Sequence, residues 1–182
     1  MTLVPRGVLP EQIDRIDGER RAPRDVLDGA PLCDPSTGEV LQPRRATAPE
    51  DVERAIAAAD RAHRAGVWAD LDVDARSDWL ERIVTELDTM ADQPGDAVAI
   101  AESTGSGVPI EITRMFAGSL GGAFRGAIVQ LQAGSTRTEL PGPVRPVELH
   151  RLPWGPAAIL VPWNAPAAMA AGKVATALAA GC

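Results

Sequence analysis

The sequence has no tyrosine, two phenylalanines and four tryptophans, so aromatics make up only 3% of its 182 residues. A core built on stacked rings is excluded. The 45% of apolar residues must pack as Ala, Val, Leu and Ile. Cysteine occurs only at Cys33 and Cys182, too few for a disulfide framework or a cysteine zinc cluster. No apolar run approaches the roughly 20 residues needed to span a bilayer. Met1 to Val8 carries Arg6, but no apolar stretch of signal-peptide length follows. Positive charge is also short, with 18 Lys and Arg against 25 Asp and Glu, a net charge of −7. Such a surface repels phosphate backbones and anionic lipid heads, so nucleic acid and membrane are poor partners. A reducing cytoplasm is the expected compartment.

What is present reads as alternating turn signals and helices. Ile13 and Ile16 lead into Asp17-Gly18, a strand entering a tight turn. Asp34-Pro35-Ser36-Thr37-Gly38 is a second turn, and Val40 and Leu41 continue as a strand. Together they predict a small antiparallel meander. Thr47 and Glu50 have capping-box spacing, with Pro49 in the first turn of a helix that carries Val52, Ile56 and Ala59 on one face and ends at Gly66. A second helix from about Asp74 is expected to bury Leu80, Ile83, Val84, Leu87 and Met90. Pro94 opens a third, to about Glu102, and Ser103 to Gly107 reads as a turn. Ile112, Phe116, Leu120, Phe124 and Ile128 recur every four residues, a fourth helix. Gly118 and Gly122 weaken it by about 1 kcal/mol each, a cost that suggests close backbone contact.

After Gln130 the texture changes. Gly134 to Pro146 reads as a loop, and Val147 to Leu152 alternates as a half-exposed strand. Ala157-Ala158-Ile159-Leu160-Val161 has the texture of a strand buried on both faces, as in a parallel sheet. Pro166 can open a closing helix that stops at Gly181.

The run Pro153-Trp154-Gly155-Pro156-Ala157-Ala158-Ile159-Leu160-Val161-Pro162-Trp163-Asn164-Ala165-Pro166, followed by Lys173 and Ala177-Leu178-Ala179-Ala180-Gly181, resembles the aldehyde dehydrogenase superfamily. Members enter their cofactor domain through a strand ending in Pro-Trp-Asn-x-Pro. Upstream, Asp34-Pro35-Ser36-Thr37-Gly38-Glu39, Pro49-Glu50-Asp51-Val52, Trp68 and Glu102-Ser103-Thr104-Gly105 are similar, in order and spacing, to that family's turn, helix start, tryptophan and Glu-x-Gly loop. The implied fold class is α/β: helices and a small antiparallel meander, then the first strand-helix unit of a Rossmann-like cofactor domain, incomplete here. The implied divisions are an arm and meander over 1–45, a helical part over 46–126, an oligomerisation-type hairpin over 127–152, and the first βα unit over 153–182.

The resemblance also implies site roles. Asn164 would be the amide donor that stabilises the oxyanion formed when a cysteine thiolate attacks an aldehyde. A plain helix cap is the alternative reading of that residue. Val161, Pro162 and Trp163 would border the nicotinamide half of NAD or NADP with their backbone, with the Trp163 indole read as core. Ala165 stands where a large aromatic commonly lines the substrate tunnel, which suggests room for a bulky aldehyde. Gly172 stands where Trp is common, and Lys173 reads as structural or solvated. Cys182 follows a helix C-terminus, whose negative dipole end disfavours a thiolate. Cys33, beside Asp34, is no better placed, so neither is read as the nucleophile. No metal ligand set is expected, and His63 and His150 read as surface residues.

The implied activity is oxidation of an aldehyde to a carboxylic acid through a cysteine thiohemiacetal, in an oxidoreductase that is a homo-oligomer when complete. The nucleophilic cysteine and general-base glutamate lie beyond residue 182 by this reading. One strand and one helix do not make a dinucleotide crevice, so neither cofactor binding nor turnover is expected of the chain alone. A second function class is a short non-catalytic module that assembles with full-length subunits.

Overall fold

The computed structural model describes residues 9–26, 29–91, 96–134 and 136–182. Its β structure is confined to pairs. Strand β1 (Asp14–Ile16) turns into β2 (Glu19–Arg21) through Asp17 and Gly18, whose φ angles of 53° and 80° suit a two-residue type I′ hairpin. The second expected turn also forms. The Gly38 N–H donates to the Asp34 carbonyl and the Ser36 N–H to the Asp34 carboxylate, both at 2.7 Å. That turn joins β4 (Leu32–Cys33) to β5 (Val40–Gln42), and β3 (Arg24–Asp25) pairs with β6 (Arg45–Ala46) outside it. The expected continuous meander is replaced by three separate two-stranded ribbons.

Helix α1 (Pro49–Arg64) begins where proline at its first turn places it, but no capping box forms. Its N-cap is Ala48; the Thr47 hydroxyl donates instead to Asp14 at 2.9 Å, and Glu50 pairs with Arg24. Both expected capping side chains thus tie the helix to the ribbons. Arg21 to Asp51 at 3.5 Å and Arg61 to Asp17 at 2.7 Å add to that tether. No residue of α1 is buried, and Val52 and Ile56 are exposed. The apolar stripe read from the sequence is real, but Val52, Ile56 and Ala59 on it stay exposed.

The core lies between three other helices. Helix α2 (Val73–Ala91) contributes Leu80 and Val84, with Ile83 and Leu87 partly covered. Met90, expected inside, is 52% exposed because it lies beyond the crossing of α2 with α5. Helix α3 (Ala97–Ser106) runs through the segment read as a Ser103–Gly107 turn and stops only at Gly107, at φ 76°. The proposed helix start at Pro94 lies outside the described residues. The four-residue repeat read as one helix is two, α4 (Ile110–Ala117) and α5 (Leu120–Gln132), broken at Gly118-Ser119. A Cβ on Gly122 would meet nothing within 4 Å, so the expected backbone contact is absent there. The tight neighbour is Gly121, buried against Asp88.

Helix α6 (Pro166–Ala179) closes the core with Ala171, Ala175 and Ala179, spaced four apart on the face toward α5. Phe124, Ile128 and Leu131 of α5 fill the space that these small side chains leave. Before α6, β7 (Arg137–Leu140) and β8 (Val147–His150) form an exposed hairpin. Two readings are corrected by it. The hairpin expected over 127–152 does not start at 127: residues 127–132 are the end of α5, where Ala127, Ile128 and Leu131 face the core. Part of the expected 134–146 loop is β7.

The third correction matters most. Ala157–Val161 forms no strand, and it is not buried on both faces: Leu160 is 83% and Val161 42% exposed. A parallel strand needs neighbours to satisfy its N–H and C=O groups, and among the described residues no strand lies beside it. Among the described residues, no helix is long and apolar enough to cross a membrane.

Candidate functional site

The sequence-derived site residues sit together in the stretch that enters α6. Val161, Pro162, Trp163 and Asn164 are exposed in succession, and Trp163 is 75% exposed. The core reading of the Trp163 indole is therefore wrong: the helices fill the core without it. Asn164 does not cap α6 either. The N-cap is Ala165, whose carbonyl accepts the Met169 N–H at 3.1 Å, and no side chain of that stretch caps the helix. The Asn164 amide is left facing outward at the mouth of a helix. Ala165 itself is 8% exposed, with its methyl packed inside.

Two charged residues that sequence reasoning gave no role hold α6 at opposite ends. At its start, one carboxylate oxygen of Glu102 accepts the Ala167 N–H at 2.7 Å. At its end, the Arg76 guanidinium donates to the Ala179 carbonyl at 3.2 Å, and to Ala69 and Leu71 carbonyls at 2.8 and 2.9 Å. The Trp68 indole N–H adds a bond to the Leu178 carbonyl at 2.9 Å. Arg76 lies beside the Trp68 ring, 6.0 Å from its centroid. An anion at the start and a cation at the end match the helix dipole. Both residues are buried, and burial pushes the Arg76 pKa below its usual value, although a guanidinium remains protonated.

A signal for each existed. Arg76 stands in the first turn of α2, the wrong dipole end for a cation, which implies a partner elsewhere. Glu102 follows the apolar run Ala97–Ala101, where a charge needs a reason.

The rest of the stretch is tied down lightly. Lys173 is exposed and donates to the Leu160 carbonyl, so it is solvated and tied to the chain at once. Beneath the chain lies an apolar cavity of about 400 Å³ bounded by His63, Trp68, Ile159, Leu178 and Cys182. Two open grooves of about 510 and 630 Å³ share Gly172, Thr176 and Ala180 of α6. Gly172 thus lines open space where a large side chain would be covered only by further structure. His63 is half-buried rather than on the surface, and His150 is exposed, 2.9 Å from Glu148. The Cys182 N–H bonds the Ala177 carbonyl at the end of α6, and Cys33 is exposed near the Pro31 carbonyl. Among the described residues, no group of three or more His, Cys, Asp or Glu could hold a metal ion.

Comparison with known proteins bears on the same stretch. The profile of the aldehyde dehydrogenase family matches residues 24–182. A chloroplastic betaine aldehyde dehydrogenase of Amaranthus hypochondriacus is 33% identical over 174 residues, 92% of this chain and 34% of that protein. A geranial dehydrogenase of Castellaniella defragrans is 32% identical over 139 residues, 73% of this chain and 27% of that one. Among solved structures, a betaine aldehyde dehydrogenase of Staphylococcus aureus in complex with NAD+ is similar in fold, with a TM-score of 0.76 at 24% identity. That likeness covers 96% of this chain and 34% of the other. The chain therefore spans about a third of the length of the relatives it matches. Its helices and ribbons form the amino-terminal part of the fold those enzymes share, and the chain belongs to the aldehyde dehydrogenase family.

Proposed function

We propose that this chain supplies the amino-terminal part of an NAD(P)-dependent dehydrogenase that oxidises an aldehyde to a carboxylic acid through a cysteine thiohemiacetal. Asn164 carries the reading. Its amide is exposed, uncommitted to capping, and set just before a helix whose positive end also favours negative charge. A side-chain N–H aimed at a developing oxyanion stabilises it without giving up a proton. Losing one such donor costs about 3–4 kcal/mol in comparable sites.

The exposed backbone of Val161, Pro162 and Trp163 fits a flat nicotinamide ring, because its polar groups are unpaired by any strand and its side chains are apolar. NAD or NADP bound there would accept hydride from the substrate carbon. This chain's residues border that ring and hold the substrate oxygen. The nucleophile and the general base belong to further polypeptide, so the 182 residues alone form no NAD(P)H with any aldehyde. In a polypeptide that continues through a catalytic cysteine, Asn164→Ala should lower kcat by about 100-fold or more while cofactor affinity holds. Steady-state kinetics of that pair checks this, and an unchanged kcat refutes the role of Asn164.

Ala165, whose methyl is packed inside in this chain, is the specificity position by the family likeness. A small side chain at the tunnel position suits a bulky aldehyde, and Ala165→Phe should move the ratio of kcat/KM toward short aldehydes. An unmoved ratio removes the idea. A reducing compartment, with the cytoplasm as the default, goes with this reading, since two cysteines are too few for a disulfide framework.

A second reading has its own observation. Leu140, Val147 and Leu149 are exposed on the β7–β8 hairpin, which suits assembly with another subunit. The complete protein would then be a homo-oligomer, or the chain itself a non-catalytic module. The reading frame after Cys182 separates the two. An in-frame continuation to a later cysteine supports the enzyme, and a stop codon with a stable product supports the module.

A further inference from the structure

Glu102 is a buried carboxylate for which the proposed chemistry has no use. It lies on α3, 8% exposed, with one oxygen on the Ala167 N–H and the other, Oε2, buried without a hydrogen-bond partner. A charge so placed must be compensated, or the site destabilises the fold. The start of α6 is what compensates it. That helix has an alanine N-cap, no side-chain cap from its own stretch and no acidic residue in its first turn. Pro166 brings no N–H, and Met169 already bonds back to Ala165. The acceptor for Ala167 is therefore delivered from α3, 65 residues earlier in the chain.

We infer that Glu102 is a positioning residue: by holding the Ala167 N–H it fixes where α6 begins, and so where the Asn164 amide is presented. The inference rests on the reading of Asn164 given above. The lever is short. Moving the start of a helix by one residue shifts what precedes it by about 1.5 Å. A misplacement of about 1 Å in a reacting constellation can cost on the order of 100-fold in rate. Asn164 is exposed and has no anchor of its own; Ala165, at φ −154° and ψ 57°, is held by its buried methyl and by its carbonyl on the Met169 N–H, contacts that leave the Ala167 N–H to Glu102. Lys173 ties Leu160, but from the far side of the turn. Glu102 is the polar side chain of the described residues that grips the helix at the turn itself.

The test is residue-resolved amide hydrogen exchange on the full 182-residue chain, with NMR of the Asn164 side-chain amide. In Glu102→Ala, exchange at Ala167 should quicken at least tenfold and the Asn164 amide resonances should shift or broaden. Leu80, Val84 and Ala175 should stay within twofold of the parent. Glu102→Gln keeps a carbonyl acceptor and should restore most of the Ala167 protection and the Asn164 signals. Ala167 exchange within twofold in Glu102→Ala overturns the inference. So does an equal loss along all of α6 and α2, which would make Glu102 a general stabiliser, and so does failure of Glu102→Gln to restore. Asn164→Ala should leave Ala167 protection unchanged. If Asn164 is not the oxyanion donor, the failure appears in the turnover assay of that variant and leaves the exchange result intact.

Discussion

Helix α6 and the residues just before it are neighbours in sequence with opposite fates. The helix satisfies its own backbone, buries three alanines and is gripped at both ends by charges from other helices. The segment 157–161 is at least as apolar, yet it has no ladder partner and leaves Leu160 and Val161 in the open. A helix closes its hydrogen bonds locally, whereas a strand borrows its partners from elsewhere in the fold. Where those partners are missing, the same apolar content gives an exposed band instead of a core. The contrast separates a part of this molecule whose backbone and apolar faces are satisfied from a part where they are not.

Three experiments test it. Leu80→Ala acts on the finished side. Leu80 is fully buried between α2 and its partners, so the loss should be about 2–5 kcal/mol, read by denaturant unfolding. A loss below about 1 kcal/mol would mean that the three-helix core is not what holds the chain. Leu160→Lys acts on the open side. With 83% of Leu160 exposed, stability should change by no more than about 0.5 kcal/mol while self-association falls, read by sedimentation. Unfolding of that variant would mean that the segment is buried after all.

The smallest effect concerns the hairpin. The Arg137 hydrogen bond, and then that of His150, hold the Glu148 carboxyl below its ordinary value of 4.5. A carboxyl depressed on folding stabilises the fold above its unfolded pKa and loses that contribution as pH falls through the folded value. Exchange protection across β7–β8 should therefore be complete at neutral pH and weaken below about pH 4.5, with a salt-sensitive and small amplitude because the pair is exposed. A pH-independent hairpin, or equal sensitivity in Glu148→Gln, would remove the ion pair from its support.

The sequence carried most of the helices and both turns, because those signals are local. Asp17-Gly18, Asp34 to Gly38, Pro49 and Pro166 each act within a few residues, and each sits where it was read. What it hid was long-range. Thr47 and Glu50 have capping-box spacing, yet each finds a better partner on the ribbons, Asp14 and Arg24. The repeat from Ile112 to Ile128 is regular, but Gly118-Ser119 interrupts it and sends Ile112 to the surface. Of the candidate site, the motif located Asn164 and its neighbours. It names Glu102 only as part of a turn and Arg76 not at all, because their partners on α6 lie 65 and 103 residues away.

The alanine spacing of α6 has one more consequence. Ala171, Ala175 and Ala179 face the helical layer, and Gly172, Thr176 and Ala180 face the open grooves. Slim on the face toward α5, the helix lets its backbone come close to the helical layer. A bulkier residue at Ala171, Ala175 or Ala179 would push α6 off that layer, so these three positions should be among the least tolerant of substitution in the molecule.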